Sequence, residues 1–157
     1  MQAKGAKAWE LNVPKKQHYS SDEVIEAYFK GKEVGKADGL REGSEASKQL
    51  FLKALTENLA RAGQDTGTVL KAFKAQNLKV EKAMLRIDSW HRFSVMVVTS
   101  EKAFGNPKLL KVYDTVNQLE DAASSHHYQV RFSFVAGGDA LDTNALHADG
   151  YLLKFNA

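Results

Sequence analysis

Hydrophobic positions change period twice along this chain, and those changes mark its elements. In SKQLFLKALTENLARAG, Phe51, Leu52, Leu55 and Leu59 recur at helical spacing, and Gly63 is a natural stop. Upstream, YSSDEV offers a helix start: Ser20 caps the first turn, Glu23 completes a capping box, and Tyr19 and Val24 take the staple positions. QDTGTVLKAFKAQN reads as a short helix capped by Asp65 or Thr66 and closing near Asn77. Period two then takes over. NLKVEKAMLRIDSW and HRFSVMVVTS read as strands joined by a turn at Ser89 to His91.

After the breaker pair in AFGNP, Pro107 opens a helix with Leu109, Val112, Tyr113, Val116 and Leu119 on one face. YQVRFSFVAGG alternates Val130, Phe132 and Phe134 against Gln129, Arg131 and Ser133. A polar loop, DALDTNAL, leads to the Asp149-Gly150 turn and a last strand, YLLKFN. This order predicts an α+β fold. A long N-terminal helix precedes a small, mainly antiparallel sheet of about four strands with helices on one face, of ferredoxin-like character. The expected core is Leu55, Leu59, Phe73, Met84, Ile87, Val95, Val97, Val112, Val116, Leu119, Val130, Phe132, Phe134, Leu152 and Phe155. Three segments follow: an extended basic tail (1–19), a helical arm (20–62) and an α+β domain (63–157).

One stretch breaks the rules of helix composition. In AYFKGKEVGKADGLREGSEAS, Gly31, Gly35, Gly39 and Gly43 stand at every fourth position, between Ala27 and Ser47. Each glycine costs about 1 kcal/mol relative to alanine in a helix. On a helix the six small positions form one stripe, along which a second backbone approaches closely. Cα–H···O and dispersion contacts offset the penalty, so such a helix is stable only when paired. The competing reading is a hinge. The stripe is self-complementary, which makes a homodimer the simplest arrangement.

The stretch resembles the glycine-repeat segment of the flagellar and type III secretion stator proteins that regulate the export ATPase. The matching residues are Ala27, Gly31, Gly35, Gly39, Gly43 and Ser47, and the resemblance spans only residues 27–47. It implies a helical dimerisation segment ahead of a C-terminal α/β domain.

Charge alters the picture little. The net charge is +3, and the excess sits in the tail, where Lys4, Lys7, Lys15 and Lys16 face only Glu10. Within that tail Trp9, Leu11 and Val13 alternate as in a short strand, and Trp9 is expected to anchor against this chain or a partner. Cysteine is absent, which excludes disulfides and thiol chemistry. No run approaches a membrane span, so a cytoplasmic protein without membrane insertion is expected.

No motif for catalysis or a cofactor emerges. His18, His91, His126, His127 and His147 form no HxxxH or HExxH pair. His147, Asp142 and Asp149 share one loop, where turn-capping aspartates are the simpler account and an enzyme site the remote one. The expected function is therefore non-enzymatic: an oligomerising assembly or adaptor protein, forming homodimers or higher oligomers, or a subunit of a larger bacterial or phage assembly. Its interface residues are the six of the stripe together with Trp9. The alternative is a nucleic-acid-binding module using the basic tail and Lys79, Lys82, Arg86 and Arg92 of the first hairpin, with Trp90 and Phe93 interleaved.

Overall fold

The computed structural model describes residues 8–11 and 45–156. The elements are β1 (Trp9–Leu11), α1 (Glu45–Ala75), β2 (Val80–Ser89), β3 (Arg92–Thr99), α2 (Glu101–Phe104), α3 (Leu109–Ala123), β4 (Gln129–Ala136), α4 (Thr143–Ala148) and β5 (Tyr151–Phe155). The five strands form one sheet in the order β1-β5-β2-β3-β4. Every neighbouring pair is antiparallel except β3 and β4, which the crossover through α2 and α3 makes parallel. The fold is thus α+β with a mostly antiparallel sheet, as the period changes predict.

α1 corrects two expectations. It does not stop at Gly63, and no second helix starts at Asp65 or Thr66; one helix runs through them to Ala75. Thr66 turns its hydroxyl back to the Ala62 carbonyl at 2.7 Å, inside the helix. Gly63 is tolerated because the sheet side approaches it closely, whereas at Gly67 a side chain would meet only ordinary contact. A β-carbon on Gly63 would lie 3.1 Å from Ala8 Cβ and 3.2 Å from Trp9 Nε1; one on Gly67 would lie 3.8 Å from Phe155. Tertiary contact overrides intrinsic propensity here. The true end is a Schellman turn: Leu78 N–H donates to the Phe73 carbonyl at 2.9 Å, Asn77 N–H to that of Lys74 at 3.0 Å, and Asn77 sits at φ 55°.

Two cores sit on opposite sides of the sheet. The larger joins α1 and α3 to Ala83, Leu85, Phe93, Val95, Val97, Val130, Phe132 and Leu153. The smaller holds Met84, Val98, Leu146 and Tyr151 beneath α4, a helix absent from the expected element order. Met84 and Ile87 were both expected in one core, yet strand alternation sends Met84 to the smaller cluster, while Ile87 packs against the larger one. Leu152 was expected inside and is only half-buried. A register shift between β2 and β5 at Leu85 and Arg86 gives its place to Leu153. The fifth strand, β1, adds Trp9 to the core.

The sheet ends at β4, whose outward Phe132 N–H is taken up by Glu120 Oε1 of α3 at 2.9 Å. That bond blunts an edge that would otherwise template pairing with another strand.

Candidate interaction surfaces

Three surfaces answer to the sequence expectations. The first is the small-residue stripe. Ala27, Gly31, Gly35, Gly39 and Gly43 lie outside the described residues; Ser47 stands half-buried in the first turns of α1. The described part of the chain does carry one glycine pair at the same spacing, Gly63 and Gly67. There the missing side chain of Gly63 admits Ala8 and Trp9, while Gly67 stands at ordinary contact distance from Phe155.

The second is the Trp9 site. β1 pairs with β5 through Trp9↔Phe155, Glu10↔Lys154 and Leu11↔Leu153, and Asn156 N–H donates to the Ala8 carbonyl at 2.7 Å. The indole is 2 % exposed. Its Nε1–H donates to the Leu59 carbonyl at 3.0 Å, and its ring meets Phe155 edge-on at 5.3 Å between centroids. A buried indole needs a partner for its N–H, and the helix carbonyl supplies it. Trp9, assigned above to a protein interface, is here an anchor in its own chain. The sequence signal for its socket was Gly63, a glycine inside a helical run.

The third is the sheet face opposite the larger core, buried beneath α4 at Met84, Val98 and Tyr151 and open beyond it. Antiparallel and parallel registers align Tyr151, Arg86, Ser94 and Arg131 in one row, and Glu10, Lys154, Met84, Met96 and Ser133 in the next. Lys82 and Arg92 alternate onto the same face. Three of the four hairpin candidates, Lys82, Arg86 and Arg92, therefore share this face. Lys79 precedes β2 at the end far from Arg92, roughly 30 Å away at about 3.3 Å per residue. Arg131 and Lys154 join the face although the sequence reading passed over them. The alternation in YQVRFSFV already placed Arg131 opposite the core, whereas the strand neighbours that make it adjacent to Ser94 are a tertiary fact.

Arg86 is not a free cation on this face. Its Nε pairs with Asp88 Oδ1 at 2.7 Å, a second nitrogen reaches Ser94 Oγ at 3.3 Å, and its guanidinium lies 5.1 Å over the Tyr151 ring. Ser94 Oγ donates to the other Asp88 oxygen at 2.6 Å. The hydrogen bond to Asp88 raises the Arg86 pKa, and burial beneath it raises that of Tyr151. The hairpin aromatics lie elsewhere, and for Phe93 the strand alternation already implies it. Phe93 is buried in the larger core. Trp90 packs against that core, meeting Phe51 edge-on at 6.2 Å, while Asn58 Nδ2 donates to its carbonyl at 3.0 Å.

In the polar loop, Asp142 caps α4: its Oδ1 accepts from Asn144 and Ala145 N–H at 3.0 and 3.1 Å. Asp149 ends the same helix. Among the described residues no group of three or more His, Cys, Asp or Glu converges on a common point, and no helix is long and apolar enough to cross a membrane.

One polar cluster escaped the sequence reading. Tyr128, buried before β4, donates its hydroxyl to Asp65 Oδ2 at 2.9 Å, and the Arg61 guanidinium lies 4.3 Å over its ring. Burial raises the Asp65 pKa, while the Tyr128 hydrogen bond and the Arg61 charge act against the rise. Burial, and then the neighbouring Asp65 charge, raise that of Tyr128. The trio ties α1 to the start of β4, and Asp65, expected as a helix cap, acts in the middle of the helix instead.

Searches against known protein families, curated proteins and solved structures returned no match.

Proposed function

We propose that this chain is a non-enzymatic assembly protein that associates through its helices with copies of itself or with other subunits of a larger bacterial or phage assembly. The observation that carries the reading is where exposed apolar bulk lies. The exposed large hydrophobic side chains among the described residues are Leu50 and Phe51 on α1, Phe104 on α2, and Leu110 and Tyr113 on α3. All belong to helices, and Leu50 and Leu110 remain 69 % exposed. Exposed apolar surface of this kind marks sites of protein contact when it is contiguous, whereas the open sheet face carries charges. The stripe from Ala27 to Ser47, which precedes Leu50, supports the same reading through its resemblance to the stator dimerisation segment.

Light scattering on the wild type and on Gly35→Leu/Gly39→Leu tests it. Leucine raises helix propensity yet separates backbones that pair along the stripe, so the dimer mass should fall to that of a monomer. The alanine pair should have the milder effect. A wild-type monomer at high micromolar concentration would count against self-association, and an unchanged mass in the leucine variant would favour the hinge.

A second reading rests on the cations that the register gathers on the open sheet face. Lys82, Arg92, Arg131 and Lys154 could meet the phosphates of a single strand, although Asp88 dilutes their field. In a gel shift, Arg92→Ala/Arg131→Ala should weaken binding and flatten its salt dependence. Salt-insensitive or absent retardation of the wild type removes this reading.

A further inference from the structure

The smaller core contains one polar atom that the fold leaves without a bond. Its cover is α4, where Leu146 is buried while Thr143, Asn144, Ala145 and Ala148 are exposed, so the helix packs on one side only. His147 follows Leu146 and is half-buried, yet its Nε2 is covered and finds no hydrogen-bond partner among the described residues. On a helix with one packed side, a covered ring tip reaches beneath the helix, toward the sheet. Buried polar atoms are nearly always paired, because an unmade bond forfeits the hydration the atom has given up. A helix that served only to cover the sheet would carry an apolar side chain there.

The sheet beneath α4 offers sulfur. Met84 and Met96 stand directly opposite one another in the β2–β3 register. Both belong with Leu146 to the smaller core, Met84 buried within it and Met96 packed against it. Residues opposed in this way have β-carbons about 5 Å apart, and the flexible methionine side chain lets both thioethers turn toward one point. We propose that Met84, Met96 and His147 form a binding site for a soft monovalent cation of the copper(I) class, between α4 and the sheet. Thioether sulfur selects against magnesium and calcium, which take oxygen ligands, and imidazole nitrogen also suits copper. With its proton on Nδ1, the imidazole presents the Nε2 lone pair to the ion. The two charges in the same row, Lys154 and Glu10, face one another across β5 and β1 and offset each other. The site is complete within one chain and does not depend on self-association.

The absence of cysteine makes the test clean, since no thiolate competes for a soft ion. Silver(I), a redox-inert stand-in for copper(I), is titrated into the full-length protein carrying methionine labelled with carbon-13 at its methyl group. The chain has three methionines, so Met84→Leu and Met96→Leu assign the signals and Met1 serves as the reference. One equivalent of silver should shift the Met84 and Met96 signals together. His147→Leu removes the third donor and the unpaired atom at once. It should weaken silver binding by about tenfold or more, while the metal-free variant resists urea at least as well as the wild type. Met96→Leu conserves volume and should weaken binding similarly, which keeps the test decisive if the His147 variant folds poorly. Silver bound with both signals unmoved would belong to exposed imidazoles such as His126 and His127 and would overturn the proposal. Undiminished affinity in folded His147→Leu or Met96→Leu would overturn it equally.

Discussion

Replacing Gly63 with leucine sets helix propensity directly against tertiary packing. Propensity alone favours the substitution by about 1 kcal/mol. The socket opposes it, because even a β-carbon there would stand 3.1 Å from Ala8 Cβ and 3.2 Å from Trp9 Nε1, and a branched side chain leaves the indole no room. Evicting Trp9 forfeits the burial of the largest side-chain type and its hydrogen bond to Leu59, a loss of about 3–5 kcal/mol by analogy with Trp→Ala changes in cores. Gly63→Leu should therefore destabilise the chain by about 2–4 kcal/mol, and Trp9→Ala by slightly more. The decisive quantity is their coupling. With Trp9 already removed, Gly63→Leu has no indole to displace, so its cost should vanish or change sign, giving a coupling of about 3 kcal/mol in a double-mutant cycle, at the upper end for contacting residues. Urea unfolding followed by circular dichroism measures all four proteins. A Gly63→Leu protein as stable as the wild type, or additive behaviour in the double variant, would refute the argument.

Other perturbations follow from the polar contacts. Because burial raises the Asp65 pKa, the folded state holds that proton more tightly than the unfolded chain does. The resulting stability is complete below the ordinary value of 3.8 and is lost as pH rises through the folded-state value. Asp65→Asn keeps an acceptor for Tyr128 and should flatten this part of the stability–pH profile; an unaltered profile in urea titrations across that range would contradict the assignment. Tyr128→Phe deletes the bond to Asp65 and should cost about 1 kcal/mol by the same urea assay, against no change if the contact is idle. Glu120→Ala should cost a similar ~1 kcal/mol and also increase aggregation on mild heating, since the β4 edge loses its cover. Glu120→Gln keeps the acceptor and should behave like wild type in turbidity measurements.

The sequence determined the class of the fold because burial imposes a period. The alternation in HRFSVMVVTS and YQVRFSFV set strand faces, placing Phe93, Val95, Val97, Val130 and Phe132 inside and Arg92 and Arg131 outside. The helical spacing of Val112 and Val116 did the same for α3. Local chemistry also placed the end of α1 at Asn77, where a left-handed residue closes the last turn. What local pattern could not decide was anything that depends on a neighbour far along the chain. Gly63 reads as a helix stop in isolation, and only the indole of Trp9, fifty-four positions away by number, makes its missing side chain an asset. Asp65 reads as a cap until Tyr128 is seen to reach it. Arg131 and Lys154 lie on the face of Arg86 through registers that hydrogen bonding between strands alone fixes. Leu153 rather than Leu152 is buried because β2 and β5 slip past one another at Arg86. Period is written residue by residue along the chain, whereas register and socket arise only when distant segments meet.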